Sequence, residues 1–184
     1  MPEERLINKM KKYNISFIGI DNGVSGTIGA ICMKGYSSDF FFEKTPVRSE
    51  QNYTKTKGNI TRIDVKKLYY QLKQFEADQI IVRIERPMVN PGRFKATISA
   101  IRALEATLIV LEKLKWGYQY IDSKEWQKAL LPHGIKGGPA QKKASLDIGK
   151  RLYPQFSQLI GKHKDADGLL MAHYLMKLEQ GLVK

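Results

Sequence analysis

The sequence predicts an α/β fold built on a five-stranded mixed sheet, three antiparallel strands followed by two parallel ones, flanked by helices. Three observations carry this. An apolar strand-like run, "ISFIGID", is followed at once by two more strand-like runs, "TIGAICM" and "SDFFFEK", separated by short Gly turns, the pattern of an antiparallel meander. Amphipathic helical spacing then alternates with strand-like runs. The chain finally passes into helices to its end, an order that belongs to α/β architecture.

The segment Ile15–Asp21 is apolar on both alternations, so it belongs inside the sheet and not at its edge. From Ile63 the apolar residues Val65, Leu68, Tyr69, Leu72 and Phe75 recur at helical spacing, giving an amphipathic helix that ends near Ala77. "QIIVRIE" is a fourth strand. A strand reached through a crossover helix is parallel and right-handed in nearly every case. Pro87, Pro91 and Gly92 then break the chain before a long helix from about Phe94 to Leu114, and "GYQYID" follows as the fifth strand. "SKEWQKALL", "PAQKKASLDIGKRLY" and "ADGLLMAHYLMKLEQG" read as three helices separated by Gly and Pro loops, starting at Ser123 and near Lys164 in the first and last cases. Residues 14–184 are expected to form a single domain, preceded by a basic tail over residues 1–13.

The 184 residues include 31 Lys and Arg against 18 Asp and Glu, a formal net charge of +13. Such an excess favours a polyanionic partner, nucleic acid first, through field steering and counterion release. Cys32 is the single cysteine, which excludes an intramolecular disulfide and suits a reducing compartment. The first residues carry charges throughout where a secretion signal has an apolar core, and no stretch reaches the length of uncharged residues a membrane span needs. The expectation is a cytoplasmic protein, of a bacterium or a phage-infected cell or of an organelle, with no membrane partner.

In an open α/β sheet, chemistry sits beyond the carboxyl ends of parallel strands. If the first and fourth strands are neighbours, Asp21 and Glu85 close them at one edge of the sheet. Two carboxylates side by side repel, and a divalent cation such as Mg²⁺ is the usual compensation. Taken singly, an Asp before Asn-Gly is also an ordinary turn residue, and a Glu before Arg-Pro an ordinary strand end. A third acidic group comes from "HKDADGLLMAHYL". His163 and Asp167 lie four residues apart and share a face if one helix carries both, with Asp165 pointing away. Gly168 and Ala172 are small enough for that helix to approach the sheet closely.

Taken together, "FIGIDNGVSGTIGAI", "IVRIERPMVNPGRFKATISAIRALEATL", "YIDSKEWQKALL", "KKASLDIGKRLYP" and "HKDADGLLMAHY" resemble the RuvC-like Holliday junction resolvases of the RNase H-like superfamily, especially the phage and organellar branch. The resemblance runs from about Ile15 to Tyr174 and rests on order and spacing more than on any one piece. It implies an RNase H-like fold with the family's catalytic and metal-binding acids at Asp21, Glu85 and Asp167. In the organellar branch the fourth acid stands four residues before the last, at His163; other members place Asp or His three before, at Lys164. His163 is preferred, because a neutral imidazole ligates a metal and a charged lysine does not; Asp165 is the competitor.

The resemblance also implies two Mg²⁺ ions, about 3.5–4 Å apart, with Mn²⁺ able to substitute, and hydrolysis of phosphodiesters in a four-way DNA junction during recombination or phage DNA processing. A basic residue aids catalysis in some branches. Lys128 is the choice here from a set that includes Lys124, Lys136, Lys142 and Lys143. Residues 86–151 hold thirteen Lys and Arg against five Asp and Glu. Arg86, Arg93, Lys95 and Arg102 become phosphate contacts, as do Lys136, Lys142 and Lys143, fixing position without reading sequence. Phe94 stacks on an unpaired base or packs in the core. Two matched cuts across a near-symmetric junction call for a C2 homodimer, for which the Phe94–Leu114 helix is the family's element. The rival readings are a nuclease of the same fold acting on other branched DNA or on hybrids, and a catalytically weak junction-binding protein.

Overall fold

The computed structural model describes residues 14–183 other than 36, 54, 56 and 136. The expected tail, 1–13, and Lys136 lie outside the described residues. Seven strands are present among them, β1 (Ile15–Ile20), β2 (Thr27–Lys34), β3 (Ser37–Lys44), β4 (Val47–Gln51), β5 (Asn59–Ile63), β6 (Gln79–Glu85) and β7 (Tyr118–Ile121). The helices are α1 (Val65–Lys73), α2 (Phe94–Leu114), α3 (Ser123–Leu130), α4 (Gly138–Leu152), α5 (Ser157–His163) and α6 (Asp167–Glu179).

The main sheet has the order β3-β2-β1-β6-β7. β2 pairs antiparallel with β1 and β3, whereas β6 runs parallel to β1 and to β7. Every residue of β1 is buried, as a central strand covered on both faces requires. The register sets Ile20 opposite Ile84, so Asp21 and Glu85 leave the sheet side by side.

Pleating sends alternate β1 residues to two cores. On one face, Ile15 and Phe17 pack with Ile31, Phe42, Trp126, Leu170 and Met171 beneath α3–α6; on the other, Ile18 and Ile20 pack with Ile28, Ile84, Leu68, Leu72 and Leu111 beneath α1 and α2. Full burial of each such side chain is worth about 1.5–3 kcal/mol. Trp126 is fully buried, a packing anchor.

The packing of α6 on the sheet is tight enough to require glycine. A Cβ at Gly29 would sit 2.3 Å from Leu169 Cα, one at Gly168 would sit 2.5 Å from the Thr27 carbonyl oxygen, and one at Gly19 would lie 2.3 Å from the Gly168 carbonyl oxygen. These three positions form a seam along which helix and strand backbones touch, as the small residues of the last helix led one to expect.

Three sequence expectations are corrected. The first helix starts at Val65, not Ile63, because Asp64 caps it by accepting from the Lys67 amide at 3.0 Å; it ends at Lys73, short of Ala77. Ile63 closes instead the separate β4–β5 hairpin, whose mostly polar strands lack the apolar alternation by which strands are read. α3 does start at Ser123 as expected, capped by Asp122, whose amide donates to the Glu125 carboxylate at 3.0 Å. The C-terminal region holds four helices, not three: α5 stops where Lys164 turns left-handed at φ 53°, and α6 begins at Asp167.

Candidate metal centre

Asp21 follows β1 directly. Its amide donates to the Thr27 carbonyl at 2.9 Å, closing the Asn22–Gly26 turn, and the Gly26 amide donates to the Gly23 carbonyl at 3.2 Å. A side chain at position 26 would collide with the Asp21 carbonyl, 2.1 Å from the Cβ position. Glycine there lets the chain double back beneath the carboxylate. Glu85 ends the neighbouring parallel strand, and its carboxyl shares a hydrogen bond with that of Asp21.

The remaining acids come from the α5–α6 connection. One carboxylate oxygen from each of Asp21, Asp165 and Asp167 lies within 4.8 Å of the others. Asp165 is buried and fixed by two donors, Thr27 Oγ1 at 2.9 Å and the Asp167 amide at 2.7 Å. Thr27 Oγ1 in turn accepts from the Gly168 amide at 3.2 Å, which stitches β2 to the first turn of α6. Asp167 accepts from Ser145 Oγ. Lys142 Nζ reaches Asp165 Oδ2 at 2.7 Å and Asp167 Oδ2 at 2.9 Å.

These contacts set the electrostatics. Burial, then the negative charges of Asp165 and Glu85, hold the Asp21 carboxyl well above the usual carboxylate range. Burial likewise raises Glu85, with Asp167 and Asp165 adding to the shift and the hydrogen bond from Asp21 opposing it. Asp167 is raised by burial and by Asp165, against the pull of Lys142 and Ser145. Burial disfavours charge on Lys142, yet Asp167 and Asp165 outweigh it and keep the ammonium charged. Among the described residues, Asp21, Asp165 and Asp167, with Glu85 beside Asp21 and Lys142 between two of them, form a site short of positive charge. Their hard oxygen donors fit Mg²⁺ or Mn²⁺, ions that take a few carboxylates and retain waters.

Asp21, Glu85, Asp165 and Asp167 come together; His163 does not join them. The expectation that His163 and Asp167 share a helix face is overturned by the left-handed turn at Lys164, which puts the two residues on different helices. The His163 ring packs against Phe42, with centroids 5.9 Å apart. Burial and the nearby Lys44 depress its pKa. Asp165, expected to point away, points in.

Of the basic candidates, Lys142 reaches the acids. Lys128 instead lines a separate notch with Lys124, Gln127, His133 and Gln141. The signal for Lys142 and Ser145 was their spacing of three on one helix, which puts both on the face turned toward Asp167. Beside Glu85 opens a cleft of about 760 Å³, lined by Asn22, Arg86, Asn90, Arg93, Thr97 and Lys124 among others. Arg86 stands at its rim over the Tyr120 ring, with Nε 3.1 Å from Asp122. Lys95 and Lys143 are exposed, and Phe94 is 69% exposed, which excludes a core role for it. Arg102, half-buried, lies over Tyr53, 5.5 Å from the ring centroid. Met88 and Val89, 74% and 65% exposed beside the cleft, were not singled out from the sequence.

No family model matches the sequence, and neither does any curated protein sequence. Among solved structures, the chain is similar to T. thermophilus RuvC in complex with Holliday junction substrate, with a TM-score of 0.52 and 16% identity over 92% of this chain and 98% of that one. A second Thermus thermophilus RuvC structure aligns with a TM-score of 0.49 and 14% identity over the same shares of the two chains. At such identities the likeness concerns architecture. The chain has the RNase H-like fold in its RuvC-like form.

Proposed function

We propose that this protein is a divalent-metal-dependent endodeoxyribonuclease that resolves four-way DNA junctions. The observation that carries the reading is the convergence of Asp21, Glu85, Asp165 and Asp167 at the carboxyl edge of two parallel strands, in a fold shared with a RuvC structure that holds a Holliday junction substrate. Asp165 also removes the motive for a catalytically weak binder, which rested on His163 and Lys164 standing where an acid was expected.

Asp21, Asp165 and Asp167, with Glu85 beside them, would hold Mg²⁺ or Mn²⁺, in a pair if the family pattern applies. The ion supplies Lewis-acid charge and an activated water for phosphodiester hydrolysis. Asp21, hydrogen-bonded to Glu85 and next to Asp165 and Asp167, would be the ligand shared by the whole cluster. Ser145 and Thr27 hold Asp167 and Asp165 in place. Lys142 provides fixed positive charge where negative charge builds on the attacked phosphate. Arg86, Arg93, Lys95, Lys124 and Lys143 contact the backbone around the cleft, and Phe94, Met88 and Val89 offer apolar surface to unstacked bases.

A two-fold junction calls for a C2 dimer. α2 leaves Ile101 38% and Ile109 54% exposed on one side while burying Ala103, Val110 and Leu111 on the other, which suits a partner copy. Among the described residues no helix is long and apolar enough to cross a membrane. The test is cleavage of a synthetic four-way junction, beside a simple flap and an RNA–DNA hybrid, by the native chain and by Asp21→Asn in Mg²⁺. Paired incision of the junction alone, lost in the variant, supports the reading; equal cutting of all three substrates selects the broader nuclease.

A further inference from the structure

The β4–β5 hairpin pairs with no strand of the main sheet and enters the core beneath α1 and α2 through Ile63 at its root. Two-stranded ribbons of this kind are marginal in water unless something holds them. Between Lys44 and Arg62 the chain carries five Lys and Arg against one acid, Glu50. Register sets Arg48 directly across from Arg62, a like-charge pairing that costs stability in a sheet. Glu50 compensates only half of it: its two oxygens take Arg48 Nη2 at 2.6 Å and Arg62 Nη1 at 2.8 Å. Both guanidinium groups remain about half exposed, at 52% and 50%, with donors left over in a fixed fork that suits phosphate oxygens.

The hairpin is also held where such a surface is useful. At its root the Thr45 amide donates to the Gly26 carbonyl at 3.0 Å, the turn that carries Asp21. Near its tip, Tyr53 lies under the Arg102 guanidinium of α2. α2 also supplies Ala100 and Thr97 to the cleft, and the Ala100 carbonyl accepts from Asn22 Nδ2 at 3.2 Å. The ribbon therefore starts at the metal centre and lies along the helix that lines the cleft.

We infer that the β4–β5 hairpin is a second DNA-binding surface, gripping the phosphate backbone of a duplex arm through Arg48 and Arg62, with Lys55 and Lys57 at the tip. This rests on the nuclease reading above only for the identity of the DNA. The surface reads charge and spacing and not bases, and Glu50 keeps the two arginines parallel and in place.

The test is the salt dependence of binding, by full-length protein, to a four-way junction and to a plain duplex of the same arm sequence. Each lost phosphate contact lowers the slope of log K against log salt by about 0.9, so Arg48→Gln with Arg62→Gln should reduce it by about 2 and weaken binding roughly ten- to thirtyfold at physiological salt. Lys73→Gln with Lys113→Gln removes equal charge around Tyr69, in the last turns of α1 and α2, and should leave the slope unchanged. Tyr53→Ala should weaken binding while Tyr53→Phe retains it, since the phenyl ring still supports Arg102. If the double arginine variant fails to fold, Lys55→Gln with Lys57→Gln, which touches no ion pair described here, carries the same expected loss of slope. An unchanged slope in the hairpin variants, or an equal loss in the Lys73/Lys113 pair, overturns the inference. A native chain that cuts no junction while the hairpin variants still lose slope on duplex would sink the nuclease reading and leave this surface standing; a native chain that binds no DNA would sink both.

Discussion

Asp21→Asn should stabilise the metal-free protein while destroying its response to metal. The native side chain lies within 4.8 Å of Asp165 and Asp167. At that distance two unit charges repel by about 3.5 kcal/mol at an effective dielectric constant of about 20. Lys142 compensates one such contact and leaves the other. Burial and these neighbouring charges raise the Asp21 carboxyl well above the usual range and so favour its protonated form, which asparagine imitates because its amide donates in the same direction. The sign follows from linkage. A carboxyl whose pKa is raised on folding contributes its stability below the ordinary carboxylate range and loses it as pH climbs through the raised value. The variant is free of that loss, so the gap between the two proteins should be smallest at or below the ordinary carboxylate range and widen as pH rises above it. Since protonation relieves part of the repulsion, the expected gain at about pH 8 is about 1–3 kcal/mol. For a chain of this size that is a rise in Tm of about 3–9 °C. Mg²⁺ should reverse the order, because a ligand at 100 times its Kd stabilises the native protein by about 2.7 kcal/mol and the variant has lost a carboxylate. Scanning calorimetry across pH, with chelator and with Mg²⁺, reads all of this. A variant equal to or less stable than the native protein at about pH 8, or a gap that does not change with pH, would refute the reasoning.

His163→Leu should leave junction cutting within about twofold of native while Asp165→Asn reduces it by about a hundredfold or more, since only the second side chain faces the centre; single-turnover cleavage distinguishes them. Lys142→Gln should lower the cutting rate by about a hundredfold, the order found when a preorganised charge is removed, and should lower the metal-free Tm at neutral pH by leaving Asp165 and Asp167 without a cation. Gly29→Ala should cost about 3 kcal/mol or more in a urea titration, because its Cβ would meet Leu169 Cα at 2.3 Å. The same change should depress cutting, as α6 cannot retreat from the sheet without carrying Asp167 with it.

The parts of the fold that depend on apolar period were legible in the sequence. β1, buried on both faces, and α2, with its long apolar repeat, fall where period and punctuation put them, and the pairing of Asp21 with Glu85 follows from parallel strand ends. What escaped was set by polar and backbone geometry. The hairpin offers Arg, Glu, Gln and Asn where strands normally show alternating apolar residues, and its anchors lie in Gly26 and Arg102, far from it in sequence. The choice between His163 and Asp165 turned on one left-handed residue. Lysine seldom adopts that conformation, so nothing local announced the break that swings Asp165 inward. Lys142 was among the basic candidates, but its distance from Asp167 depends on how α4 packs beside α6, which spacing within one helix cannot supply.

The glycine seam decides whether the acidic cluster assembles at all. Thr27 and Asp165 meet across 138 positions of sequence, and the contact exists only after α6 has docked on β1 and β2. Asp165 and Asp167 thus reach Asp21 only through that docking. A seam that loosens therefore parts the carboxylates into two pairs, while the β4–β5 hairpin keeps its own charge.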